Sequence, residues 1–351
     1  MKRLVFLLPL FISALLMAQP EIDTSAAKVV IAENQEAEVA YNKGLEAYRS
    51  QNHQEAIRLF TEAIGYKKDF LKAYVNRAGI HSKKQRYSKA IKDYTKALEI
   101  NPEKGEIYFN RGYARIFEGQ YEKAITDFIN AGKNGFKNAR VFYYIGVAKF
   151  QLEDYKTAIK AYKNAVKMDS EYAYAYNDLG SAYRKLEQYE KALKAYDKAI
   201  EMNKEFAVAY NNRGSVKRKL ERYEDAVADY SLALNTRQDY YLAYNNRGTA
   251  RFQLKQFEKA LQDFNKAISL KKDYAFAYNN KGTALYKLGK YEEAIEAYSK
   301  AIKLNPDYAY AYYNRANSRE MLKAFDNAVK DWKKAADLGI KSAMQHVREY
   351  Q

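Results

Sequence analysis

Asn177-Asp178, Asn211-Asn212, Asn245-Asn246 and Asn279-Asn280 stand 34 residues apart, and Asn314 follows one step later. A carboxamide offers two donors and an acceptor. Amides repeated at a fixed interval can bond both the N–H and the C=O of an extended backbone without reading its side chains. Asn is also a poor helix former, by up to ~0.7 kcal/mol against Ala, so a row of it on a helix needs a reason. Two further rows keep the interval: Arg184, Arg218, Phe252 and Tyr286, and Tyr174, Val208, Leu242 and Phe276. Apolar sockets, amides and two cations together suit a peptide or partner helix of modest acidic character.

A second constellation pairs charge. Arg77, Arg111, Arg213, Arg247 and Arg315 each have an Asp sixteen residues later, at 93, 127, 229, 263 and 331. At the four equivalent positions the sequence has Lys43, Ile145, Leu179 and Lys281, and the partner is then Leu59, Ala161, Ala195 or Ala297. Both positions switch together, which predicts contact: a guanidinium–carboxylate pair within ~4 Å, or an apolar substitute. Arginines used this way are structural and do not count as a phosphate-binding patch.

Other chemistry is excluded or disfavoured by composition. Cys is absent, which removes disulfides, thiolate catalysis and Cys-ligated metals. The three His, at 53, 81 and 346, are far apart. No Gly-rich phosphate loop, nucleophile elbow or paired-His motif is present. The expectation is a protein that is not an enzyme, with no catalytic residues, no metal and no cofactor. The net charge of +17 would suggest nucleic acid in a cytosolic chain. Residues 1–20, MKRLVFLLPLFISALLMAQP, change that reading. A basic start, a 15-residue apolar run and a small residue have the layout of a secretory signal peptide, with cleavage expected after Ala18. An exported basic protein meets proteins and acidic envelope polymers, and nucleic acid is not expected. Membrane contact is expected if the segment is kept as an anchor.

The elements that must position these rows share one period. Frames of 34 residues begin at 37, 71, 105, 139, 173, 207, 241, 275 and 309 and run without insertion to 342. In the eighth, Tyr278, Gly282 and Leu285 fall at i, i+4, i+7, one face of a first helix. Ala294, Tyr298 and Ala301 repeat the spacing on a second, with Gly289-Lys290 between and Asn305-Pro306-Asp307 at the end. Two short helices cannot bury their apolar faces alone, so neighbours must stack. Four frame positions take 31 of the 52 Phe, Tyr and Trp residues, which makes most aromatics packing knobs.

This pattern of aromatic, Gly, Ala, aromatic, Ala and Pro at 34-residue spacing resembles the tetratricopeptide repeat family. The family's terminal Pro survives as Pro102 and Pro306. The resemblance implies an all-α fold: a right-handed α-solenoid superhelix of nine helix-turn-helix units over 37–342. A signal peptide (1–18) and short lead (19–36) precede it, the lead's first half expected to be disordered, and a capping helix (343–351) follows. It also implies a concave groove lined by first helices, where the rows above would lie. Another familiar mode, a clamp for C-terminal carboxylates, needs a basic residue at the fifth frame position, and no unit has one. Gly132, Gly135 and Tyr144 interrupt the pattern between the third and fourth units, which predicts a shortened helix and a local change of path there. Ala343, Met344 and Val347 read as an amphipathic turn sealing the last hairpin. The expected function is a scaffold of the cell envelope that binds an extended peptide or partner helix in its groove. The alternative is a binder of acidic envelope polymer, glycan or anionic lipid, through its basic surface.

Overall fold

The computed structural model describes residues 35–350, and the expected signal peptide and most of the lead lie outside them. The described residues are all-α: nineteen helices joined by short turns. None of these helices is long and apolar enough to cross a membrane. The chain divides into two compact units, the first ending at Gln188 and the second starting at Tyr189.

The first unit holds α1 (Gln35–Arg49), α2 (His53–Tyr66), α3 (Leu71–Lys83), α4 (Tyr87–Ile100), α5 (Gly105–Phe117), α6 (Tyr121–Lys133), α7 (Ala139–Gln151), α8 (Tyr155–Met168) and α9 (Ala173–Lys185). The second holds α10 (Tyr189–Met202), α11 (Ala207–Lys219), α12 (Tyr223–Thr236), α13 (Tyr241–Gln253), α14 (Phe257–Leu270), α15 (Ala275–Lys287), α16 (Tyr291–Leu304), α17 (Ala309–Met321), α18 (Phe325–Asp337) and α19 (Ala343–Glu349). Apart from α1, every first helix begins at frame position one, and all nine second helices begin at position seventeen.

The periodic residues explain the packing. The aromatic at position twenty-four is fully buried in every frame, from Phe60 to Trp332. In frames one, three, four, six, seven and eight it lies against the glycine at position eight of the same hairpin. A Cβ at Gly282 would stand 2.6 Å from the Tyr298 ring, so the missing side chain is what lets this ring in. Both Ala rows of the second helices are wholly inaccessible, Ala56 to Ala328 and Ala63 to Ala335. Burying such a face stabilises at roughly 25 cal/mol per Å² of apolar surface.

Each hairpin turns through a residue with positive φ at frame position fifteen. Two of the nine are glycine, Gly119 and Gly289; the others are Gln51, Gln85, Glu153, Glu187, Glu221, Lys255 and Lys323. At the expected interruption, α6 has 13 residues where most second helices have 14. It ends with Gly135 at φ +84 and with the Phe136 N–H bonded to the Ala131 carbonyl, a left-handed C-terminal stop. Frame nine ends the same way at Gly339.

Candidate functional site: the face of the first helices

Within each unit, successive first helices touch one another: α5, α7 and α9 in the first, and α11, α13, α15 and α17 in the second. In each unit they form a shared face. Its rows fall at frame positions two, five, six and twelve, which share one side of a helix.

The amides do not stand free on this face. The sixth-position Nδ2 of Asn246 donates to the fifth-position Oδ1 of Asn211, one repeat earlier, at 2.9 Å. Asn280 donates to Asn245 at 2.9 Å and Asn314 to Asn279 at 3.1 Å. Position five of one repeat thus bonds position six of the next, thirty-five residues on. The first unit uses the same geometry with other chemistry. Asn76 Nδ2 donates to the Tyr41 hydroxyl at 2.9 Å, and the Tyr143 hydroxyl donates to Asp178 Oδ2 at 2.9 Å. Where position five is Phe109, position six of the next frame is Tyr144, with ring centroids 5.9 Å apart. This is what holds Asn on the helix. The sequence carried the signal in the pairing of positions five and six across neighbouring frames, rather than within one.

Asn177, Asn211, Asn212, Asn245 and Asn279 are buried, whereas Asp178, Asn246, Asn280 and Asn314 are half-buried. The cross-repeat bonds use one atom of each amide. The Nδ2 of Asn211, Asn245 and Asn279 and the Oδ1 of Asn246, Asn280 and Asn314 have no bond among the described residues. Asp178 departs from the row. Both its oxygens accept, from Tyr143 and from Asn177 Nδ2 at 2.9 Å, and no cation pairs with it among the described residues. Burial lifts its carboxyl to about 6, against the pull of those two bonds.

The flanks are apolar. Leu242 is half-buried, while Phe276 and Tyr310 are exposed, the latter at 63%. Phe276 packs its ring on Tyr274 and on Tyr308, at 5.9 and 5.2 Å between centroids. At position twelve Phe252 and Tyr286 are half-buried, each against the ring five residues on, Phe257 and Tyr291. Arg184 and Arg218 are half-buried in the same row, each with an Nε that has no partner among the described residues.

Every expected Arg–Asp pair is formed, and each is a two-bond fork. Arg77, Arg111, Arg213, Arg247 and Arg315 reach Asp93, Asp127, Asp229, Asp263 and Asp331 at 2.6 to 2.8 Å through Nη2, with Nε on the same carboxylate. Their Nη1 groups do something the sequence reading missed. Each donates to a side chain on the preceding repeat's second helix: Thr61, Thr95, Asp197, Ser231 or Ser299. Each guanidinium also lies over a Tyr three residues earlier, at 5.5 or 5.6 Å. In four repeats the Asp takes a second cation, Arg115, Lys217, Arg251 or Arg319.

Comparison with known proteins points the same way. Tetratricopeptide repeat profiles match residues 71–104, 93–126, 173–206 and 207–240, and a TPR repeat profile matches 146–186, 248–289 and 282–323. The solved Cut9–Hcn1 hetero-tetramer of the APC/C aligns over 92% of this chain and 78% of its own, at TM-score 0.58 and 15% identity. A tetratricopeptide repeat protein from Parabacteroides merdae ATCC 43184 aligns over 70% of this chain and 98% of its own, at TM-score 0.55 and 19% identity. YrrB, described as a TPR protein with an unusual peptide-binding site, is 26% identical over 52% of this chain and 95% of its own, at TM-score 0.44. No curated protein matches the chain significantly. The matched segments cover most of the repeat frames and lie in both units, and the chain belongs to the tetratricopeptide repeat family.

Proposed function

We propose that this chain is a non-catalytic scaffold of the cell envelope that holds a protein partner, as an extended peptide or a helix, against the face of its first helices. The observation that carries the reading is the set of leftover amide atoms. After the cross-repeat bonds are made, frames six to eight each keep a fifth-position donor, and frames seven to nine each keep a sixth-position acceptor. An extended backbone offers the complementary acceptor and donor. The flanking Leu242, Phe276 and Tyr310 give its side chains an apolar wall. Export rests on the layout of residues 1–20. The alternative, an acidic polymer held on a basic surface, loses five arginines that are already spent on Asp inside the hairpins.

Peptides selected from a random display library test this. Backbone N-methylation at alternate positions of a bound peptide is expected to weaken binding about tenfold where the methyl faces an amide, a loss of ~1.4 kcal/mol. Asn245→Ala with Asn279→Ala is expected to do the same, with Phe276→Ala as a variant that leaves the amide bonds intact. Affinity unchanged by all three would remove the proposal.

A further inference from the structure

The two ends of the described chain are unlike the ends of a sealed stack. Frame position three is buried in the eight later repeats, from Ala73 to Ala311, yet Val39 in the first is 47% exposed. Position ten is likewise buried from Ile80 to Ser318 but holds an exposed glutamate, Glu46, in the first repeat. In later repeats such positions face the preceding hairpin, and none precedes α1 among the described residues. Between α1 and α2 lies an open depression of about 860 Å³, with Val39, Ala40, Leu59 and Tyr66 in its lining. Its rim is acidic. Arg58 is occupied by Glu55 and Glu62 at 2.7 and 2.9 Å, while Glu36 and Glu46 have no ion pair among the described residues.

The other end carries the opposite character. The helix α19 starts at frame position one, as a tenth first helix would, and stops after two turns. Ala343 and Val347 are buried against Trp332 and Ala335. Met344, Gln345 and Arg348, at i, i+1, i+4, form an outward stripe, and Lys341 precedes it, also exposed. Met344 therefore does not seal the last hairpin as the sequence suggested, but stands 41% exposed. A short helix with an apolar and basic outer stripe complements a helix-wide depression with apolar residues in its lining and an acidic rim.

We propose that α19 of one copy seats in the α1/α2 depression of a second copy, with Met344 against Val39 and Tyr66, and Arg348 and Lys341 at the glutamate rim. The contact joins two different surfaces, so it is heterologous and can propagate. This inference does not rest on the peptide-binding reading.

Sedimentation velocity on the full chain tests it. The weight-average sedimentation coefficient should rise with concentration, and less so at about 0.5 M salt, where the charged contacts are screened. Val39→Asp with Tyr66→Glu should abolish the rise, and so should Met344→Asp with Arg348→Glu. Both variants change exposed side chains, and unaltered circular dichroism would show that they fold. Mixing the two should give dimers that grow no further, because one intact face of each kind remains. Three outcomes would overturn the proposal: a coefficient that never changes with concentration, association that survives both variants, or Val39→Asp with Tyr66→Glu lowering the melting temperature while association persists. The last would assign the depression to the chain's own residues before Gln35.

Discussion

Arg77 bonds the Asp93 carboxylate with Nε and Nη2, bonds Thr61 of the preceding hairpin with Nη1, and covers the Tyr74 ring. One side chain therefore ties together three helices. Removing it alone leaves a buried carboxylate without this partner, which typically costs 3–5 kcal/mol. Arg77→Leu should destabilise by about that amount, and adding Asp93→Ala should return most of it, because Leu179 with Ala195 is the same pair in natural form. Urea unfolding of both variants checks this, and equal losses would show that the pair is not coupled. Asp178 gives a prediction of opposite sign. Its carboxyl is lifted by burial to about 6, so folding favours the protonated form. Below about pH 4 the group is protonated folded or unfolded; between there and 6 the unfolded chain ionises first and stability is lost. Asp178→Asn should remove that loss and stabilise at pH 7 by about 1–2 kcal/mol. The Tyr41–Asn76 bond shows the Tyr–Asn version of this contact already in place. Stability curves across pH 4 to 7 with identical shape for both proteins would contradict it.

At the scale of the element, sequence periodicity was enough to place the helices, because a 34-residue beat with fixed Gly, Ala and aromatic positions leaves few other ways to bury those faces. The Arg–Asp contacts were legible for the same reason, since both positions switch within one hairpin. Contacts between hairpins were harder to read. Position twenty-five is Thr, Asp or Ser before every Arg frame, and Ile129, Lys163 or Asn265 before three of the frames without one. That correlation crosses frames, as does the pairing of positions five and six, and a reading confined to single repeats passes over both. It also missed the exposure of Met344, because spacing of i, i+1, i+4 does not say which side of a two-turn helix has a neighbour. The turns carry a further consequence. Seven hairpins hold an L-residue in the left-handed region, where it costs roughly 1–2 kcal/mol relative to a right-handed one. Glu221→Gly and Lys255→Gly should each stabilise by about 1 kcal/mol, while Gly289→Ala should cost a similar amount. Thermal or urea melts decide this, and destabilisation by either Gly substitution would mean that those side chains have contacts outweighing the strain.

At the scale of the whole molecule, stability is a sum of repeat terms and nearest-neighbour terms, so an end repeat with one neighbour opens first. The single tryptophan reports on such an end. Trp332 is fully buried, stacked on His346 at 4.8 Å and on Tyr350 at 5.6 Å, both contributed by the C-terminal cap. Its fluorescence should change at lower urea than the far-ultraviolet circular dichroism, and Val347→Asp should widen the gap. Coincident transitions would mean that the chain unfolds as one cooperative body.

The face of the first helices, with its leftover amide atoms, is the proposed working surface on which the functional reading depends. Side-chain amide NMR with a library-selected peptide tests it most directly. The NH2 resonances of Asn211, Asn245 and Asn279 should shift on saturation while those of Asn235 and Asn265, on second helices, stay in place. A peptide that binds tightly and moves the second-helix amides alone would contradict the account.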